Sequence, residues 1–281
     1  MTQNYQDFIA SIWSQKINAG LDKTVAMLQV VNRDYQSDAD KGVETIHIIS
    51  PDCVDATPYT GSIPSYGTLS TTPTALVLDQ KVCFGIVVPD IAEAQSNVSI
   101  IDCVTEQAKK GIESAIDAYL FSLYTSAAPE NKLGTTASPI AINAANVYSK
   151  FVTLAKTLKV SGALNGANTG WVVVHPDIEE VLLLSPQFAA ASQMGDKTIR
   201  QGAIGRIAGL DVFVSNNVGA DGDDYTILAG TKEGITYASQ LTKIETIRAQ
   251  ASFDSIVRGL YTFGGLVVNP KAIAVMNSEL G

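Results

Sequence analysis

The chain has 281 residues, 46% of them hydrophobic and only 17% charged, where an average soluble domain carries about 25% charged; its mean hydropathy is +0.15. Lys and Arg number 19 against 28 Asp and Glu, leaving a net charge of −9, which argues against a protein whose main task is to grip nucleic acid but not against one that encloses it. No run approaches the ~18 apolar residues of a spanning helix, and MTQNYQDFIA lacks a basic region followed by an apolar one, so neither membrane insertion nor a signal peptide is expected. The cysteines Cys53, Cys83 and Cys103 match no zinc or redox spacing and read as reduced thiols of a cytosolic chain.

Residues 5–18 form an amphipathic helix by pattern, with Phe8, Ile9, Ile12, Trp13 and Ile17 on one stripe, and 21–31 continues it after Gly20. A polar, turn-rich segment runs from Asn32 to Gly42. A strand follows from Val43 to Ile49, with Ile46 and Ile48 alternating against Thr45 and His47. The stretch 51–75 is rich in Pro, Thr, Ser, Gly and Tyr and almost uncharged. So long an irregular segment is uncommon inside a compact domain, and Tyr59, Ile63, Tyr66 and Leu69 make it too apolar for ordinary disorder. It reads as an extended arm lying on a neighbouring molecule. One long strand returns from it, with Leu76, Leu78, Val82, Phe84, Ile86 and Val88 on one parity.

Pro89 and Asp90 open the clearest element, a helix over 91–125. Its apolar positions, Val98, Ile101, Val104, Ala108, Ile112, Ala115, Tyr119 and Leu123, step by three or four residues. At 1.5 Å per residue it spans roughly 50 Å, a spine for other elements, with Gly111 marking a bend or a close approach. Residues 127–139 read as a linker and 141–159 as a second helix, with Val147, Phe151, Leu154 and Leu158 inward. Trp171–Val174 is a short apolar strand. Pro176 starts a helix that ends near Leu184, and 185–202 reads as an exposed loop. A strand pair spans Gly205–Asn217. The region 225–275 is strand-rich, with turns expected at Gly230, Gly234, Gly264–Gly265 and Asn269–Pro270.

Chemistry is scarce. His47 reads as a half-buried strand residue. His175 and Asp177, in Val-His-Pro-Asp, have the types of a base and its orienter, but no nucleophile signature accompanies them; a structural place at a helix start is the plainer reading. Asp221-Gly222-Asp223-Asp224 lacks the spacing of a calcium loop. The glycine-rich run 202–209, with Arg206, has the wrong spacing for a dinucleotide fingerprint and leads into a strand. Arg248 and Arg258 are either interfacial ion-pair donors or members of ordinary surface pairs. No catalytic, cofactor or metal site is assigned.

The order of these elements resembles a tailed-phage major capsid protein of the Hong Kong 97 type. The resemblance rests on Phe8–Trp13 followed by Val30–Tyr35 and Gly42–Ile46, on the uncharged 51–89, on the helix at 91–125, on Gly205-Arg206-Ile207-Ala208-Gly209-Leu210-Asp211-Val212-Phe213-Val214-Ser215-Asn216-Asn217, and on the closing Val267–Ala272. It implies an α+β fold with 1–50 as N-terminal arm and first strand, 51–89 as extended β-hairpin loop, 90–133 as peripheral domain with a spine helix, 134–249 as axial α/β domain, and 250–281 as strands returning to the peripheral domain. It further implies a shell of hexamers and pentamers, found in the virion and assembled in the host cytoplasm, that encloses double-stranded DNA without sequence-specific binding. Implied partners are copies of the chain, a separate scaffolding protein, a portal protein and a decoration or cement protein, with no membrane. Phe8, Trp13, Tyr59, Ile63, Tyr66, Leu69, Arg248 and Arg258 are the subunit-interface candidates. Residues 52–75 contain no Lys, which speaks against the covalent cross-link of some relatives. An encapsulin-like nanocompartment shell shares the fold and is the nearer alternative; a small-molecule enzyme using His175 and Asp177 is the farther one.

Overall fold

A computed structural model of the chain describes residues 26–39, 43–51, 71–89, 100–165, 168–186, 205–221, 224–249 and 254–281. At its centre lies strand β6, Gly170–Val174, with every residue buried. A strand buried on both faces belongs inside a sheet covered on both sides. It pairs in parallel with β8, Leu210–Val214, and antiparallel with β10, Asp224–Thr231. Next to β10 runs β13, Ile273–Leu280; the short strands β4, Lys132–Leu133, β5, Ile140–Ile142, β7, Arg206–Ile207, and β9, Ala220–Asp221, complete an eight-stranded sheet.

Alternation along these strands feeds two separate cores. Val172, Val174, Ile227, Ala229, Ala274 and Met276 pack on one face with helices α4, Val147–Val160, and α5, Pro176–Leu183. Trp171, Val173, Leu228, Ile273 and Val275 pack on the other with the long helix α3, Ile100–Ser122. That second core also takes in Tyr237 and Phe263 from a three-stranded antiparallel sheet, β11, Ile235–Arg248, then β12, Asp254–Val267, then β3, Gln80–Pro89. Strand β5 stands where the first residues of a helix at 141 were expected, while α4, begun at Val147, forms with its expected inward row Val147, Phe151, Leu154 and Leu158 fully buried. Helix α5 forms where expected, with Pro176 in its first turn and His175 as its N-cap.

Several expectations change. The described part of α3 is about 35 Å long and ends in a 3-10 turn, Leu123–Ser126; residues 91–99 lie outside the described set. Its buried row is Ile116, Asp117, Leu120 and Phe121, while Ala115 is exposed. The expected stripe was therefore one flank of the true one. Gly111 is exposed with nothing within 4 Å of the place a Cβ would take, so it marks no close approach. Residues 127–139 are not a free linker: β4 pairs with β13, and Asn131 donates to the carbonyls of Lys271 and Ile273 at 2.8 and 2.9 Å. The single returning strand is two, β2, Thr71–Val77, and β3, broken at Leu78–Asp79 and sent to different sheets. Gly230 and Gly264–Gly265 lie inside β10 and β12 rather than at turns. Strand partners also cross the expected boundary at 249/250. β11 pairs with β12, which in turn pairs with β3, whereas β13 sits within the eight-stranded sheet.

Candidate functional site

Strand β1, Thr45–Pro51, pairs antiparallel with β2, and together they form a two-stranded ribbon of their own. Ile46, Ile48 and Leu76 share one face of it and, with Leu78, close over Ala39 and Ala238. The other face carries His47, Ala75 and Val77, all exposed, Val77 at 43%; His47 is thus more open than expected. The ribbon is seated on β12 at Gly264, where the Val77 carbonyl lies so close that a Cβ would not fit. Its continuation, with Tyr59, Ile63, Tyr66 and Leu69, lies outside the described residues, as do Phe8 and Trp13.

A junction that the sequence reading missed lies where α3 meets the N-terminal segment. Asp117, 1% exposed, uses Oδ1 to accept the backbone N–H groups of Ala26 and Met27 at 3.0 and 2.6 Å. Its Oδ2 accepts the Ser215 hydroxyl and the Asn217 amide at 2.9 and 3.0 Å. A carboxylate is costly to bury without such donors. The two N–H groups open the short helix α1, Met27–Val30, and have no partner within it, so the carboxylate caps α1 from another part of the fold. Farther on, Asn32 exchanges backbone hydrogen bonds with Ile235 and Tyr237, both 2.9 Å. Arg33 stacks over the Tyr237 ring at 5.8 Å. Gln36, in helix α2, Gln36–Ala39, donates to the Ser239 carbonyl at 2.6 Å and accepts from its N–H at 3.1 Å. Burial pushes the Tyr237 hydroxyl pKa well above its usual value. Residues 26–39 are therefore stitched to their own chain.

The two arginines stand on the hairpin of β11 and β12. Arg258 faces its cross-strand partner Glu245, with Nη2 and Nε at 2.6 and 2.8 Å from Oε1. Arg248 lies at the end of β11, exposed, in register with Ser255.

The structure brings His175 and Asp177 together: Nδ1 is 2.9 Å from Oδ2. That same oxygen accepts the Tyr225 hydroxyl at 2.6 Å, and the His175 and Tyr225 rings lie 5.0 Å apart. The group ties the start of α5 to β10. The described end of the glycine-rich run holds a two-residue hairpin turn, Ala208-Gly209, with φ of 53° and 92°. Positive φ at both central residues is what a tight hairpin between twisted strands requires. Arg206 is held there by both carboxylate oxygens of Asp211, at 2.7 and 3.1 Å. Among the described residues no cluster of three or more His, Cys, Asp and Glu could hold a metal, and no helix is long and apolar enough to cross a membrane.

The model of a family described as "Phage capsid protein" matches residues 86–276. The chain belongs to the phage capsid protein family. Its fold is similar to a chain of Mycobacterium phage Che8, with a TM-score of 0.77 at 24% identity over 96% of this chain and 97% of that one. It is also similar to chains from the capsid of the Cyanophage P-SCSP1u, TM-score 0.73 at 12% identity over 98% and 94%, and from the capsid of Ralstonia phage GP4, TM-score 0.71 at 12% identity over 97% and 95%. No curated protein matches it. The shared fold is the α+β, Hong Kong 97-like one that the order of elements implied.

This capsid protein is a structural subunit of the virion shell. Of the interface candidates only Arg248 and Arg258 fall among the described residues. Asp117 left one trace in the sequence, an acid inside the apolar run Ala115–Phe121. Its partners lie about 90 residues before it and about 100 after, beyond the reach of any local pattern.

Proposed function

We propose that copies of this capsid protein associate as hexamers and pentamers into an icosahedral shell around the double-stranded DNA of a tailed phage, assembling in the host cytoplasm. One observation carries the reading: the β1–β2 ribbon has no strand partner outside itself among the described residues, and its outward face presents Ala75 and Val77 instead of charges. A two-stranded ribbon is marginal by itself, and a neighbouring subunit would complete it. In this reading the ribbon and residues 52–70 are the extended loop. The eight-stranded sheet with α4 and α5 is the axial domain, and α3 with the three-stranded sheet is the peripheral one. Phe8, Trp13, Tyr59, Ile63, Tyr66 and Leu69 make subunit contacts, with Arg248 and Arg258 beside them. A separate scaffolding protein and a portal protein guide assembly, and a decoration or cement protein adds to the finished shell. The net charge of −9 suits an inner wall that does not hold phosphate. His175 and Asp177 act as a structural joint with no catalytic role.

The test is negative-stain microscopy of the expressed protein, alone and with its scaffolding protein. Shells, tubes or capsomer rings are expected. A uniform population of monomers or dimers under both conditions would contradict the proposal.

A further inference from the structure

The two helices that cover the same face of the eight-stranded sheet carry opposite charge. Helix α4 has Lys150, Lys156 and Lys159 and no acid; α5 has Asp177, Glu179 and Glu180 and no base. Lys150, Lys156, Lys159, Glu179 and Glu180 have no ion-pair partner among the described residues. Among the described residues the two charged patches of opposite sign thus stay apart and neither is neutralised.

Each patch has an exposed aliphatic residue beside it. A groove of about 450 Å³ runs between α4 and the 3-10 turns Pro129–Asn131 and Pro270–Ala272, lined by Thr153, Lys156, Thr157, Val160, Lys271 and the acid Glu130 among others. Val160 stands on its wall, 78% exposed. On α5, Asp177, Glu180 and Leu184 follow one another at helical spacing, and Leu184, just past the end of the helix, is 67% exposed. An apolar centre within a charged rim is the anatomy of an association surface.

We infer that the groove beside α4 receives the Leu184 end of α5 from a second copy of this chain, placing Leu184 against Val160 and Glu180 between Lys156 and Lys271. The inference rests on the shell-forming reading and names one contact within it. Charge complementarity selects the occupant. Copies of net charge −9 repel one another at long range, so close approach needs local pairing of unlike patches. Each copy carries both the knob and the groove, made of different residues, so the contact is head-to-tail. Contacts of this kind close into rings when the rotation allows. The single acid of the groove, Glu130, faces two lysines and does not reverse its sign.

The experiment uses the full chain under conditions in which the wild type assembles. One variant carries Lys156→Glu and Lys271→Glu; the other carries Glu179→Lys and Glu180→Lys. Particles are counted by sedimentation and negative stain, and circular-dichroism melts check folding. Each variant alone is expected to lose rings and shells while melting like the wild type. An equimolar mixture is expected to regain six-membered rings, in which alternating copies again meet unlike charges at every contact; five copies cannot alternate. If a charge-reversed chain fails to fold, Leu184→Ser is expected to show the same loss of assembly. Normal assembly of any one of these folded variants alone, or no recovery on mixing two folded ones, overturns the contact. A wild type that forms no particles at all overturns the shell reading itself, and this contact with it.

Discussion

The eight-stranded sheet and the β1–β2 ribbon are both built from alternating strands, yet they use alternation differently. In the sheet, both parities are buried: Val172 and Val174 feed one core, Trp171 and Val173 the other. In the ribbon, one parity is buried under Ala39 and Ala238 while the other, with Val77, faces outward. The sheet is complete within one subunit. In the proposed reading the ribbon is half of a packing arrangement. A subunit of a closed shell has to combine a body whose shape is fixed with contacts that are finished by a neighbour. In the proposed reading the two requirements are met by different strands. The N-terminal segment 26–39 sides with the body, pinned by Asp117, Asn32 and Gln36.

The sharpest way to break the comparison is to damage the body. Phe151→Ala opens a void beneath α4, where Phe151 is fully buried, and is expected to cost about 3–5 kcal/mol in urea unfolding; a cost near zero would mean that the sheet core does not carry stability. Asp117→Ala strands two backbone N–H groups, a hydroxyl and an amide. The expected loss is about 3 kcal/mol, with faster hydrogen exchange confined at first to residues 26–30. Gly264→Ala forces a Cβ against the Val77 carbonyl. It is expected to cost about 1–3 kcal/mol and to loosen the ribbon without changing protection in β6 or β10. Smallest of all is Arg258→Ala. Its pair with Glu245 is half-exposed, and such pairs contribute about 0.2–1 kcal/mol, less as salt rises.

Much of the body was legible in the sequence because its signals are local. The row Val147, Phe151, Leu154 and Leu158 predicts α4, Pro176 predicts the start of α5, and the apolar run at 171–174 predicts a buried strand. What was not legible depends on partners far along the chain. Parity continues unbroken from Leu76 through Leu78 to Val82, so a single strand was the natural reading. The break at Leu78–Asp79 appears only when the two halves pair with β1 and β12. Gly264 looked like a turn residue because nothing local reveals that Val77 will press against it. The grouping of β11 with β12, and of β13 with β10, is likewise a matter of pairing that periodicity does not encode. For the candidate sites, His175 at a helix start was readable from Pro176. The Asp117 junction was not, since its donors are scattered over roughly 190 positions from Ala26 to Asn217.

The most direct test of this division between body and ribbon is hydrogen exchange measured on free subunits and on assembled shells. Amides of β6, β10 and β13 should be protected equally in both states, while those on the outer edges of β1 and β2 should be protected only after assembly. Equal protection of the ribbon in the free subunit and the shell would contradict the account, because the ribbon would then already be complete without a neighbour.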